Sequence, residues 1–267
     1  MKIVAMSDLH GFMPEIPECD LLLIAGDVCP DFSRGARIGE NVDVDKRSER
    51  QWNWFKQVFI PYLERYKFDK CLMTWGNHDW IGEELGVEGQ GVYGVGDKKD
   101  IDVVVDELVE YQGLKIWMTP WSNQFMEWAF MKPHAELAEK YVAIPEDVDI
   151  VVSHQPPYGC GDWYLNPNEG MPVVWEFQHI GSSELRYKIE ELKPKMVVCG
   201  HLHGGFGRYE IDDTVVWNVS VLDENYRLVN RPTVIELEEE DGQVVEGPFD
   251  YSPSRGWKWP VRNSSNN

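Results

Sequence analysis

Basic residues are scarce in this chain. Its 267 residues hold 25 Lys and Arg against 46 Asp and Glu, a net charge of −21. So acidic a surface repels polyanions, which makes a long nucleic acid or an anionic membrane an unfavoured partner. A small anionic phosphoester is still admissible as a substrate, because bound cations can reverse the field locally. Cysteine is sparse too. The five thiols, at 19, 29, 71, 160 and 199, form no C-x-x-C pair and are odd in number, so they read as small core residues rather than a disulfide framework. No apolar run approaches a membrane span. Residues 1–8 lack the long apolar segment of a secretory signal, and a reducing, cytoplasmic setting is the expectation. Histidine is scarce as well: there are seven, and their placement is informative.

The remaining composition, 43% hydrophobic and 27% charged, is that of an ordinary globular protein. With no internal repeat and no clear linker, one domain is expected over residues 1–238, followed by a tail at 239–267. Short apolar runs at 2–6, 20–25, 70–75, 149–152 and 196–199 read as strands buried on both faces. A helical pattern starts at Ser48 and carries Trp52, Phe55, Phe59, Tyr62, Leu63 and Tyr66, with Pro61 expected to kink or split it. Residues 125–141 and 182–193 also read as helices, the former interrupted by Pro133. A hairpin is expected from Val103 to Tyr111 and Leu114 to Met118, with strands at 207–210, 214–219 and 233–238 completing an antiparallel edge. Residues 30–47, 82–96 and 158–180 read as loops. Strand–helix alternation with added hairpins implies a layered α/β fold with mixed sheets.

Each of the five apolar runs ends directly in metal-ligating residue types. The motifs are Asp8-Leu-His10, Gly26-Asp27, Gly76-Asn77-His78-Asp79, Ser153-His154 and Gly200-His201-Leu-His203. Five of the seven histidines fall inside them. Alone, each motif is weak, since Gly-Asp and Ser-His are common turn dipeptides. Together they are hard to assign to chance, because α/β sheets place their ligands at strand C-termini. Residues two apart on an extended loop point to the same side, so Asp8 and His10, or His201 and His203, can converge on an ion. Carboxylate, amide and imidazole donors without a thiolate suit divalent ions such as Mn, Fe or Zn, and the set is too large for one ion. His134 and His179 lie outside the motifs and read as hydrogen-bonded structural residues.

These motifs, in this order, resemble the calcineurin-like metallophosphoesterase signature over roughly residues 1–238. His154-Gln-Pro-Pro157, Gly161-Asp-Trp163 and Gly200-His-Leu-His-Gly-Gly-Phe-Gly207 are similar to its metallophosphoesterase-domain (MPPED) branch, which is associated with cyclic-nucleotide phosphodiesterase activity. Several vertebrate members of that branch lack the first His of the Gly-His-x-His block, whereas this chain keeps His201. The resemblance implies a four-layer α/β/β/α sandwich of two mixed sheets flanked by helices, with the metal site at the strand C-terminal ends. It implies two divalent ions, Mn²⁺ favoured over Fe, Zn, Ni or Co. Asp8, His10 and His203 would hold one and Asn77, His154 and His201 the other, with Asp27 bridging. His78 would assist the leaving group, and Asp79 would hydrogen-bond His78 and fix its tautomer.

Two divalent ions about 3.5–4 Å apart can clamp the attacking and leaving oxygens of a displacement, and a water between them loses its proton near neutral pH. The expected activity is hydrolysis of a small phosphodiester such as a cyclic nucleotide. Two other readings compete with it: a scaffold using the same fold for protein interaction, and a nuclease or protein phosphatase. Trp80 and Trp163 adjoin motifs and are candidates for stacking on a base, and Arg34 for touching a phosphate oxygen.

Overall fold

Strands form where the sequence runs apolar on both faces. β1 (Lys2–Met6), β2 (Cys19–Ala25) and β3 (Phe68–Thr74) lie side by side in parallel. The computed structural model describes residues 1–31, 44–84, 91–95, 100–166, 176–240 and 243–246. β5 (Ile101–Val105) joins β3 in parallel, and β4 (Gly91–Gly94) pairs antiparallel with β5. On the opposite edge β16 (Thr233–Glu240) runs antiparallel to β1, and β17 (Gln243–Glu246) pairs with β16. The first sheet therefore has the order β17-β16-β1-β2-β3-β5-β4.

The second sheet is built from β6 (Glu107–Tyr111), β7 (Leu114–Thr119), β10 (Ile150–Ser153), β13 (Met196–Cys199), β14 (Gly207–Ile211) and β15 (Thr214–Asn218). Its order is β14-β15-β13-β10-β7-β6, with β10 parallel to both β7 and β13. Two ribbons complete the strands: β8 (Ser122–Asn123) with β9 (Met131–Lys132), and β11 (Trp163–Asn166) with β12 (Glu176–His179).

Alternation along the strands assigns the layers. Ile3, Ala5, Leu21, Leu23, Leu72 and Val104 of the first sheet pack against Ile116, Met118, Ile150, Val152 and Val198 of the second, all buried. The intervening residues Val4, Leu22 and Ile24, and Val151 and Val197, belong to the outer core with helix residues Phe55, Phe59, Leu137, Tyr141, Leu185 and Ile189. Each such side chain stabilises by about 1.5–3 kcal/mol when fully buried, which fixes both faces of every central strand. The result is the expected α/β/β/α arrangement. Among the described residues no helix is long and apolar enough to cross a membrane.

Several local expectations are corrected. The first helix begins earlier than Ser48: α1 spans Val44–Trp54, continues as a π turn over Phe55–Phe59 and ends as α2 (Ile60–Leu63). Pro61 has no N–H for the preceding turn, and the chain absorbs that by widening the turn rather than breaking. Residues 125–141 are not one helix. α4 is His134–Val142, and Pro133 caps its start in extended backbone (φ −65°, ψ 156°). The expected strand from Val103 to Tyr111 divides at Asp106 (φ 46°), where the chain passes from one sheet to the other. Asp106 is held there by Thr119 Oγ1 and Trp121 Nε1, both donating at 2.7 Å. β14 and β15 edge the second sheet whereas β16 lies in the first, so these three strands do not share an edge.

The loop expected at 158–180 contains the β11–β12 ribbon, and α3 (Trp80–Glu84) and β4 occupy the ends of 82–96. Residues 32–43, 85–90, 96–99, 167–175 and 241–242, and with them Arg34, lie outside the described residues, as does the tail from 247. α5 (Ser183–Leu192) matches the expected helix, with Ser182 Oγ accepting from Leu185 N.

Candidate metal centre

Parallel strands β1, β2, β3, β10 and β13 present their C-terminal ends to one rim, which brings all five motifs together. The backbone there is unusual. Asp8, His10, Asp27 and His201 have φ of 56°, 41°, 52° and 66°, a left-handed conformation costing non-glycine residues on the order of 1–3 kcal/mol each. Hydrogen bonds between the loops over-determine it: Asp8 N donates to Gly26 O (3.0 Å), His10 N to Asp27 O (2.9 Å), and Gly200 N to His154 O (3.0 Å). Close contact requires glycine at Gly26 and Gly200, among others. A Cβ at Gly26 would lie 2.6 Å from both His154 Nδ1 and Trp75 O, and one at Gly200 would strike Ser7 Oγ and Asp8 Oδ2.

The ligand-type atoms fall into neighbouring clusters. Asp8, His10 and His203 each offer an atom within 4.8 Å of the others, and so do Asp27, His154 and His201. Asp27 Oδ2 joins the two, at 3.6 Å from His10 Nε2 and 3.4 Å from His154 Nε2. Asp8 Oδ1 lies 3.5 Å from His203 Nε2. Outer contacts aim these groups. His154 Nδ1 donates to Ala25 O (2.8 Å) and His203 Nδ1 to Asp223 O (3.0 Å), leaving each Nε2 directed inward. Ser7 Oγ and His201 N donate to the Asp8 carboxylate, at 2.6 and 3.0 Å.

Whether cations fit can be tested on the protein atoms alone. Among the described residues neither His10 nitrogen has a hydrogen-bond partner, although both are buried, a costly state unless a ligand completes it. Asn77 Oδ1 sits 2.9 Å from His154 Nε2. With His154 donating through Nδ1, these two lone pairs need a proton or a cation between them. Hard oxygen and imidazole donors of this kind suit divalent first-row ions.

The electrostatics point the same way. Burial raises the Asp8 carboxyl, but the hydrogen bond and charge of His203 outweigh it and hold Asp8 at about 2. Asp27, also opposed by burial, is pushed well below the usual carboxylate range, chiefly by His154. Burial disfavours charge on His154 and His203, yet Asp27 and Asp8 lift them to about 9. Burial dominates at His10 and His201 and lowers both to about 3. The pocket thus demands positive charge, and its carboxylates take it from two imidazoles.

Asp79 does not play the expected part. Its oxygens accept from the backbone N–H groups of Cys29 (2.8 Å), Gly76 (2.8 Å) and Val28 (3.2 Å), so it clamps the β2 and β3 loops together instead of orienting His78. Burial, with the nearby Asp27 charge, raises its carboxyl to about 7. Asp79→Ala strands three buried donors and should destabilise the fold by about 3–5 kcal/mol, lowering Tm by roughly 10 °C. A melting curve within about 2–3 °C of the parent's would refute the clamp.

The Asp31 carboxylate does face the His78 ring, with Oδ2 3.9 Å from His78 Nδ1. His78 N donates to Asp27 Oδ1 (2.7 Å), and its ring clusters with His10 and Asp27. Its ring neighbours include His10 and Trp128, with centroids 4.7 and 4.6 Å away. Tyr226 lies edge-on to His10 and His203, 4.9 Å from each. Sequence reading missed all three. Trp80 has the Arg47 guanidinium over its ring at 4.3 Å. Trp163 packs on His179 at 4.0 Å. His179 is bonded to buried Asp162 (2.6 Å) and His134 pairs with Glu184 (2.9 Å), so both have structural partners outside the clusters. The five cysteines are buried and unpaired.

Comparison with known proteins adds the family. Metallophosphoesterase domain-containing protein 1 of Homo sapiens is 37% identical over 134 residues, which cover 49% of this chain but only 38% of that relative's length. UPF0046 protein C25E10.12 of Caenorhabditis elegans is 25% identical over 253 residues, 89% of this chain and 81% of that protein. A solved structure of a hypothetical protein from Thermus thermophilus aligns at 13% identity over 93% of this chain and 100% of that one, with a TM-score of 0.42. A family model for calcineurin-like phosphoesterases matches residues 1–205, a span holding every cluster residue from Asp8 to His203, and the chain belongs to that family.

Proposed function

We propose that the chain hydrolyses small phosphodiesters, with Asp8, His10 and His203 holding one divalent ion, Asn77, His154 and His201 a second, and Asp27 shared. The observation that carries this reading is the junction of the two ligand clusters at Asp27 Oδ2. When bound, such ions supply Lewis acidity to the phosphoryl oxygens and lower the pKa of an attacking water. The protein's own groups do the rest. His78, at the edge of the shared cluster, donates a proton from Nε2 to the departing alkoxide oxygen. Asp31 stands on the Nδ1 side, at ion-pair distance from a protonated ring. Asp79 keeps the two loops bearing Asp27 and His78 in register. An alkoxide is a poor leaving group, so this proton transfer matters for alkyl phosphodiesters.

The deciding assay is a panel of phosphomonoesters, 2′,3′- and 3′,5′-cyclic nucleotides and short oligonucleotides with Mn²⁺. Cyclic diesters should be cleaved at least tenfold more efficiently than monoesters. Preference for monoesters or for longer oligonucleotides would overturn the reading.

A further inference from the structure

From the loop between β8 and β9 we infer that Trp128 and Phe125 form a platform selecting phosphodiesters whose ester group carries a planar ring; this rests on the hydrolytic reading above. Trp128 packs on His78 with centroids 4.6 Å apart and planes inclined at 50°. Phe125 continues the surface, 6.3 Å from Trp128 at 76°. Phe125 is 64% exposed and the adjoining Met126 60%.

Slack does not explain this exposure. Ser122 N donates to Phe130 O (2.9 Å) and Gln124 N to Lys132 O (3.0 Å), closing the loop at its base, and Ala129 N donates to Asn77 O (3.2 Å). The loop is therefore tied to the backbone of a proposed metal ligand. Met126 (φ 107°) and Phe130 (φ 50°) adopt left-handed backbone without being glycine, a conformation kept only where the surroundings enforce it. An anchored, strained loop holding an exposed Phe125 ring and a half-buried Trp128 ring beside the leaving-group histidine is placed to meet whatever the phosphoester carries. Two rings set at a steep angle offer one flat face and one edge, which suits a single planar ring such as a nucleobase better than a flexible chain.

The test compares adenosine 2′,3′-cyclic phosphate with glycerol 1,2-cyclic phosphate on the Mn²⁺-loaded full chain, followed by ³¹P NMR. The reacting group is the same, so the ratio of kcat/KM isolates the ring. The parent should prefer the adenosine compound by roughly ten- to a hundredfold, the range of one aromatic stack. Trp128→Ala and the solvent-facing Phe125→Ala should each reduce that ratio several-fold, while Trp128→Phe keeps most of it. An unchanged ratio in both alanine variants overturns the platform, and so does an equal gain from a linear alkyl chain on the glycerol diester. Cleavage of both compounds with equal efficiency removes the platform and leaves the phosphodiesterase standing. Cleavage of neither, nor of the 3′,5′-cyclic nucleotides, removes the phosphodiesterase. Calorimetric titration with adenosine 5′-monophosphate and ribose 5-phosphate then decides the platform separately: tighter binding of the adenosine ligand supports it, and equal binding overturns it.

Discussion

Asp27→Asn should lower phosphodiester hydrolysis by at least about a thousandfold and drop bound metal from two ions per chain to one or none. The substitution is nearly isosteric, so the fold has no steric reason to change. Its effect comes from chemistry at two oxygens. Oδ2 lies between His10 Nε2 and His154 Nε2, while Oδ1 accepts from His78 N. An amide can satisfy only one of these sites as an acceptor, and its NH₂ would face either a cation or a backbone N–H. The negative charge that draws positive charge into the pocket would also be lost. Metal content by elemental analysis, measured alongside kcat, checks both parts. Two ions retained with activity within tenfold of the parent would end the case for a shared carboxylate.

His78→Ala tests a different claim. If His78 protonates the leaving oxygen, its loss should slow diesters with alkoxide leaving groups by about 10²–10⁴-fold. Aryl esters such as p-nitrophenyl diesters, whose leaving group needs no proton, should lose less than about tenfold. The structure also supplies the rival outcome, because His78 forms a cluster with His10 and Asp27 and could ligate an ion. In that case both substrate types should slow equally and metal content should fall. The leaving-group dependence and the metal analysis together separate acid from ligand.

Strand-end chemistry was readable from the sequence because the local signals agreed. Runs such as 20–25 and 196–199 are apolar on both faces, so they had to be central strands, and each is followed at once by glycine and a polar ligand type. Side-chain direction was not readable. The family resemblance implies that Asp79 orients His78, yet its carboxylate turns to amides some fifty residues earlier, at Val28 and Cys29. Asp31, next to the polar segment after Asp27, gave no sign of approaching His78. Trp80 drew attention by adjacency, whereas Trp128, fifty residues beyond His78, sits against its ring. The spacing of apolar residues over 125–141 imitated a helix, and only Pro133, read as a start rather than an interruption, would have exposed the preceding loop. Pairing of β16 with β1 joins the two ends of the described chain, and nothing local announces so distant a partner.

Donor origin gives the centre a mechanical meaning. Asp8, His10, Asp27 and Asn77 leave the first sheet, and His154, His201 and His203 leave the second. Each proposed ion would draw donors from both sheets, like a rivet through two plates whose main other bond is the greasy seam between them. His154 Nδ1 already stitches across that seam to Ala25 O. Cation loading should therefore stiffen the whole sandwich and not just its rim. Each occupied site adds about 4 kcal/mol at a thousandfold excess over Kd, about 8 kcal/mol for two, so stripping both ions with a chelator should lower Tm by roughly 20 °C in a single cooperative transition. An unchanged Tm, or a separate early transition, would show that the rivets do not hold the plates.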